Sequence, residues 1–183
     1  MDEQDWEDEF ESWEVHYDFH QQRDYPGLVA YCESEVRRRP DDLHAAERLA
    51  DAYMLNGEYE KVIEFTAKIH HEFPEIPSFQ HRILDALRAL GKNENDFDWT
   101  LPPTIIRLTS DFADRCYEFL RPQRKPRSIY DLTSEISQGD YLEFTDDELL
   151  QYLKQDARFD IDGEHSATAD VTVVRRSKSR TKP

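Results

Sequence analysis

Histidine and cysteine supply the reactive side chains whose roles can be read most directly from spacing. His16 and His20 stand four residues apart, so a helix would place both imidazoles on one face, where such a pair can bind a metal ion. No Glu-x-x-His context and no neighbouring cysteine completes a ligand set around them. Cys32 falls on an apolar helix face, far in sequence from Cys116, and a core position suits it better than a nucleophilic role. The sequence therefore predicts no metal site, and it predicts a reducing, cytoplasmic setting for the two thiols.

The segment Phe159-Asp160-Ile161-Asp162-Gly163 is the closest approach to a catalytic motif. It resembles the nucleophile motif of haloacid-dehalogenase-type phosphatases, in which the first aspartate is the nucleophile and the second is the acid/base. That fold builds most of its sheet after the motif, whereas only residues 164–183 follow here. Asp162-Gly163 is also a hairpin signal, and an EF-hand loop would need further ligands. We therefore expect a hairpin, and because no nucleophile, base and acid converge elsewhere, we predict no enzyme activity and no cofactor.

Charge is distributed unevenly along the 183 residues, whose formal net charge is −17. Residues 1–14 contain eight acids and no base, and residues 131–164 contain eleven acids against two bases. Positive charge gathers at residues 121–127 and 175–182. Because most of this surface would repel phosphate, the composition disfavours nucleic acid as a partner. No apolar run is long enough to cross a membrane, and the acidic start is unlike a secretion signal.

A shift of the sequence by 34 residues aligns similar residues with one another. Tyr25 falls on Tyr59, and Pro40 falls on Pro74. Each unit has the pattern of two amphipathic helices joined by a polar turn, and in the second unit Asn56-Gly57 breaks the pattern because glycine supplies a left-handed helix cap. The spacing therefore predicts helical pairs over residues 9–91, with breaks near Arg23-Asp24 and Asn56-Gly57.

Residues 43–76 resemble a tetratricopeptide (TPR) unit. The residues that carry the resemblance are Leu49, Ala50, Tyr53, Gly57, Tyr59, Val62, Ile63 and Pro74. Residues 9–42 resemble a degenerate copy, in which His16 and Glu35 stand where small residues are usual, and residues 77–91 resemble a first helix. The resemblance implies stacked helical hairpins whose first helices line a concave groove for a partner protein.

The groove-facing positions of that family identify the candidate binding residues. Those predicted to contact the partner are Trp13, Tyr17, His44, Glu47, Arg48, Asp51, His81 and Asp85, with His20 and Met54 on the same faces. Glu47 and Asp51 lie one helical turn apart, and Asp85 comes from the next repeat. We expect these three acids to focus a negative potential that favours a basic or apolar-basic segment, with Trp13 and Tyr17 as its apolar anchors.

The C-terminal half has a different pattern. Pro102-Pro103 is predicted to open a helix that carries Ile105 and Ile106 and runs to Leu120. A short helix over 128–136, a strand over 141–144, a helix after a capping box at Thr145 and two strands around residue 163 should follow. This order resembles a winged-helix domain over about 103–176, whose third helix often binds DNA. Here that helix begins with three acids, which would repel phosphate. The resemblance therefore implies the shape of a winged-helix domain more than its DNA binding.

These patterns together predict a mainly α protein, in which TPR-like helical hairpins are followed by a small winged-helix-like α+β module. The predicted domains are an acidic N-terminal segment at 1–8, TPR-like repeats at 9–100, a winged-helix-like module at 101–176 and a basic tail at 177–183. The function predicted is that of a non-catalytic, cytoplasmic adaptor that binds a partner protein. The alternative is a transcriptional or nucleic-acid-binding regulator that uses the winged-helix-like module with the basic linker and tail.

Overall fold

Aspartate side chains cap the starts of two helices in the first half of the chain, and residues with positive φ follow the ends of three. The computed structural model describes residues 15–174. Asp42 caps the helix that follows it by accepting hydrogen bonds from the backbone N–H groups of His44 and Ala45. The two predicted breaks are confirmed, because Arg23 and Gly57 both have positive φ, at 54° and 74°.

The chain divides into two compact units between Pro102 and Pro103, called here the N-terminal unit and the C-terminal unit. The N-terminal unit is helical. Its elements are α1 (residues 15–22 of the described chain), α2 (Tyr25–Arg38), α3 (Leu43–Leu55), α4 (Tyr59–Glu72), α5 (Pro77–Ala89) and a 3-10 turn at Glu94–Asp96. Within residues 25–90, all of which the structure describes, no residue lies in a strand, and successive helices pack as hairpins.

The core of the N-terminal unit follows the predicted pattern with one shift. Leu49 and Tyr53 are buried, as expected. Tyr59 and Ile63 are only partly buried, although we expect them in the core, and Val62 is fully enclosed instead. The reason is the rotation of α4, which turns the face formed by residues 62, 66 and 70 inward.

His16 and Glu35, two polar residues that the sequence places on packed helix faces, are both accommodated. Glu35 is buried and accepts hydrogen bonds at 2.5 Å from Arg38 and from Arg39. His16 is also buried, and its Nε2 atom lies 3.1 Å from the Sγ atom of Cys32 on α2. The fold therefore keeps these polar groups buried by giving each a partner.

The C-terminal unit combines three helices with a small sheet region. Its helices are α6 (Ser110–Leu120), α7 (Ile129–Ser137) and α8 (Asp146–Lys154), and its strands are β1 (Ile105–Ile106), β2 (Arg127–Ser128), β3 (Tyr141–Leu142), β4 (Phe159–Asp162) and β5 (Asp170–Val173). Strands β1 and β3 pair in parallel, and the other three form an antiparallel sheet in the order β2-β5-β4. The described protein is thus mainly α with a small sheet region, which confirms the predicted class at that level.

One predicted element of this unit is wrong. The segment after Pro102-Pro103 does not open a helix, because Ile105 and Ile106 pair with β3 as a strand. The helix begins at Ser110, where the Thr109 side chain accepts a hydrogen bond from the N–H of Phe112. A β-branched pair followed by a threonine cap therefore outweighs the helix signal of the prolines.

The remaining elements of the C-terminal unit lie close to their predicted positions. Thr145 and Glu148 form the predicted capping box at the start of α8. Strands β4 and β5 form the predicted hairpin, with Asp162 opposite Asp170. Gly163 has a φ of 121°, and a Cβ atom there would lie 2.7 Å from the Cα atom of Ala169, so the loop needs glycine.

Candidate binding groove

One face each of α1, α3 and α5 together line a groove of about 440 Å³ in the N-terminal unit. The lining residues are His16, Tyr17, His20, Arg48, Asp51, Met54, Leu55, Arg82 and Asp85. The spacing of three and four residues along α3 and α5 explains why these side chains share one side of each helix. A concave surface of this size can take side chains of a bound segment.

Four of the predicted binding residues lie in this lining: Tyr17, Arg48, Asp51 and Asp85. Three others, His44, Glu47 and His81, do not line the groove. The groove lies along the C-terminal half of α3 and begins at Arg48, so His44 and Glu47 precede it. Trp13 lies outside the described residues.

Glu47 makes local contacts rather than facing the groove. Its carboxylate accepts a hydrogen bond from the Ser78 hydroxyl on α5. The Nδ1 atom of His44 lies 3.4 Å from the same carboxylate, and the His44 side chain is largely exposed. Glu47 therefore ties α3 to α5 and does not extend the acidic surface that the sequence predicts.

Arg82 changes the charge of the groove. Its guanidinium forms an ion pair with Asp51, and its Nη1 atom lies 3.7 Å from the Oδ2 atom of Asp85. Among the lining residues, Arg48 and Arg82 match the two acids in number. The predicted excess of negative charge is therefore absent from the lining, and the reason is an arginine that the sequence pattern did not place there.

Arg48 is the unusual charged residue of the groove. It is only 8% exposed and lines the groove from α3. Within residues 15–174 it donates no hydrogen bond and has no carboxylate within 4.0 Å. A guanidinium remains charged at all ordinary pH values, so this position holds a buried positive charge that lacks a direct counterion among the described residues.

His16 and Cys32 lie beside Arg48 and form a structural pair. Burial, and after it the charge of Arg48, lowers the pKa of His16 below 6.5, so the ring is neutral at neutral pH. Burial raises the pKa of Cys32 to about 12, so the thiol stays protonated. A protonated, enclosed thiol is a poor nucleophile, and the contact of the pair joins α1 to α2.

The other candidate sites do not assemble into a centre. His20 packs edge-on against Tyr25, with ring centroids 5.9 Å apart, while His16 contacts Cys32. Among residues 15–174, no group of three or more histidine, cysteine, aspartate or glutamate side chains is placed to hold a metal ion. Asp160 and Asp162 lie exposed on β4.

No family model matches the chain, and comparison with curated proteins and with solved structures finds no match either. The arguments about function therefore depend on the groove and on the surface charges. In the described part of the chain, every helix is too short or too polar to span a bilayer.

A second, basic surface lies in the C-terminal unit. A pocket of about 300 Å³ is lined by Leu120, Gln123, Arg124, Lys125, Thr172 and Val173. Arg124 and Lys125 are exposed and lie on the loop that joins α6 to β2. The pocket therefore combines two cations with polar and apolar side chains beside β5, the central strand of the antiparallel sheet.

Proposed function

We propose that the N-terminal unit is a TPR-like array that binds a segment of a partner protein in the groove, and that the chain is a non-catalytic adaptor. The observation that carries this proposal is the groove itself, which is concave and has exposed apolar side chains in its lining. Tyr17 is 64% exposed and Leu55 is 38% exposed. Exposed aromatic and aliphatic groups in a concavity are typical anchors for a partner segment.

The spacing of the helices supports the TPR-like assignment. Helices α2 and α4 begin at Tyr25 and Tyr59, which are 34 residues apart. Helices α3 and α5 begin at Leu43 and Pro77, which are again 34 residues apart. The repeat of sequence and the repeat of helix starts thus have the same period, and the groove is lined by the first helix of each pair.

The charge of the lining favours a partner segment that binds mainly through apolar residues. The sequence, in contrast, predicts a basic or apolar-basic segment. Asp51 and Asp85 both lie beside Arg82, so a lysine or arginine of the partner would compete with an existing ion pair. Apolar contact with Tyr17, Met54 and Leu55 would supply most of the binding free energy. Both cysteines of the chain are buried free thiols, which suits our proposal of a cytoplasmic adaptor.

Site-specific crosslinking tests this function. A photoreactive amino acid replaces Leu55 in the full chain, and crosslinked proteins are compared between this variant and one that also carries Tyr17→Ala. We expect Tyr17→Ala to abolish the major crosslink. The matched control is Tyr130→Ala, which removes a tyrosine that is 70% exposed on α7 and should leave the crosslink unchanged. A crosslink that persists in Tyr17→Ala would show that Tyr17 does not anchor the partner, and the absence of any crosslink from position 55 would show that the groove is not the partner site.

The second candidate function is nucleic-acid binding by the C-terminal unit. Three helices, the last of which is followed by the β4-β5 hairpin, suit a winged-helix-like module, and the basic pocket at Arg124 and Lys125 supports contact with phosphate. Against it, α8 has Asp146, Asp147 and Glu148 in its first turn. A DNA mobility shift measured at several salt concentrations, with Arg124→Glu/Lys125→Glu as the test variant, decides between the two functions.

A further inference from the structure

Arg48 is a buried charge for which the described residues provide no hydrogen bond and no counterion. Moving a charged group out of water is costly unless hydrogen bonds and an opposite charge compensate for the loss of hydration. The Arg48 side chain is 8% exposed, yet among the described residues it has neither a hydrogen bond nor an ion pair. Asp51, which lies three residues after Arg48 on α3, forms its ion pair with Arg82 instead.

The open side of Arg48 faces the groove. Arg48 is one of the lining residues, and it is not among the described residues whose side-chain nitrogens or oxygens are sealed from solvent without a partner. Its N–H groups, for which residues 15–174 provide no acceptor, therefore remain accessible. The adjacent imidazole of His16 cannot serve as a counterion, because it carries no negative charge in either protonation state.

We infer that the groove binds a partner segment through an aspartate or glutamate side chain, whose carboxylate pairs with Arg48. This inference rests on the proposed function of the groove as a partner site. A carboxylate can accept two parallel hydrogen bonds from a guanidinium, and its single negative charge matches the single unpaired positive charge. A doubly charged phosphate would add a second negative charge beside Asp51 and Asp85. A lysine or arginine would meet Arg48 as a like charge.

The apolar lining determines the rest of the segment. Tyr17, Met54 and Leu55 lie in the same groove as Arg48 and offer ring, thioether and methyl surfaces. The segment that fits is therefore short and apolar with one acidic residue. Its acidic side chain gives orientation, and its apolar side chains give contact area.

Peptide selection on the full-length chain tests this chemistry. Random peptides displayed on phage are selected for binding to the wild-type chain and counter-selected on Tyr17→Ala, so that the recovered peptides depend on the groove. Each recovered peptide is then synthesised in two forms, with its acidic residue intact or replaced by the corresponding amide. Isothermal titration calorimetry measures both forms against the wild-type chain, Arg48→Met, Arg48→Lys and Arg88→Met.

We expect the recovered peptides to contain aspartate or glutamate, and the acidic form to bind the wild-type chain at least about tenfold more tightly than the amide form. The ratio should fall to about one in Arg48→Met, because the charge is lost, and should be partly kept in Arg48→Lys. Arg88→Met removes an equal charge from α5 outside the groove lining and should keep the wild-type ratio.

The failures are distinguishable. Groove-dependent peptides that lack an acidic residue, or that bind equally as acid and amide, would overturn the carboxylate inference and leave the proposed function intact. If no peptide depends on Tyr17, both the inference and the proposed function fail. The acid-to-amide ratio is measured on the wild-type chain, so the test stands even if Arg48→Met fails to fold.

Discussion

Acidification should destabilise the N-terminal unit through His70. This residue is 1% exposed on α4 and packs edge-on against Trp99, with ring centroids 5.6 Å apart. Within the described chain neither ring nitrogen has a hydrogen-bond partner. Burial, and after it the charge of His71, lowers the pKa of His70 below its ordinary value of 6.5. The folded state therefore keeps the ring neutral at pH values where the unfolded chain would protonate it.

The direction and size of the effect follow from proton linkage. Well above pH 6.5 the ring is neutral in both states, so His70 makes no difference to the pH dependence there. Below that value the unfolded chain binds a proton that the folded state excludes, and the free energy of unfolding falls until the folded-state pKa is reached. Between about pH 7.5 and about pH 5.5 the loss from His70 alone should reach up to about 1.4 kcal/mol. The lowered pKa of His16 acts in the same direction, so the test compares variants.

Urea denaturation of His70→Leu at both pH values measures this contribution. Removing two buried nitrogens that lack partners should raise the free energy of unfolding at neutral pH by about 1–2 kcal/mol, and the pH dependence should become shallower. His71→Gln is the control, because His71 is exposed on the same helix and its loss should leave the pH dependence nearly unchanged. A variant with the wild-type pH dependence, or one that is destabilised at neutral pH, would refute the reasoning.

Three further perturbations test the packing. Leu49→Ala should lower the free energy of unfolding by about 2–5 kcal/mol, because the side chain is buried in the core, and a loss below about 0.5 kcal/mol in chemical denaturation would contradict this. Gly163→Ala should lower the melting temperature of the C-terminal unit more than Gly139→Ala, because both have positive φ but only the former brings a Cβ atom against backbone atoms. Cys32 and Cys116 should react slowly with a thiol reagent until denaturant is added, since burial raises the pKa of each to about 12, and rapid reaction of the native chain would show that they are accessible.

The helices of the N-terminal unit were predictable because local chemistry determines where they end. Gly57 and the cap at Asp42 act within one turn of the chain, and their effect does not depend on distant residues. The two-residue strand at Ile105–Ile106 was not predictable in the same way. Its pairing partner, Tyr141–Leu142, is distant in sequence, and two isoleucines fit a helix or a strand equally well by pattern.

The groove was predictable in position and less so in charge. Its helices and six of its residues follow from the 34-residue period, because the period determines which helix faces are parallel. The charge depends on which side chains pair between helices, and the ion pair of Arg82 with Asp51 joins α5 to α3. Sequence spacing along one helix contains no information about such a pair, which is why an acidic groove was expected and a balanced one was found.

The attachment of α1 has a consequence for the apparent affinity of the groove. The contacts of α1 with α2 include the approach of His16 to Cys32 and the packing of Phe19 against Tyr31, with ring centroids 6.0 Å apart. Tyr17 belongs to α1, whereas Arg48 belongs to α3, so detachment of α1 would dismantle the groove while the remaining helices stay folded. A segment that contacts both Tyr17 and Arg48 binds only molecules in which α1 is attached to α2. Its apparent affinity is therefore reduced when a fraction of the molecules has α1 detached. Binding should therefore slow amide hydrogen exchange in α1 more than in α4.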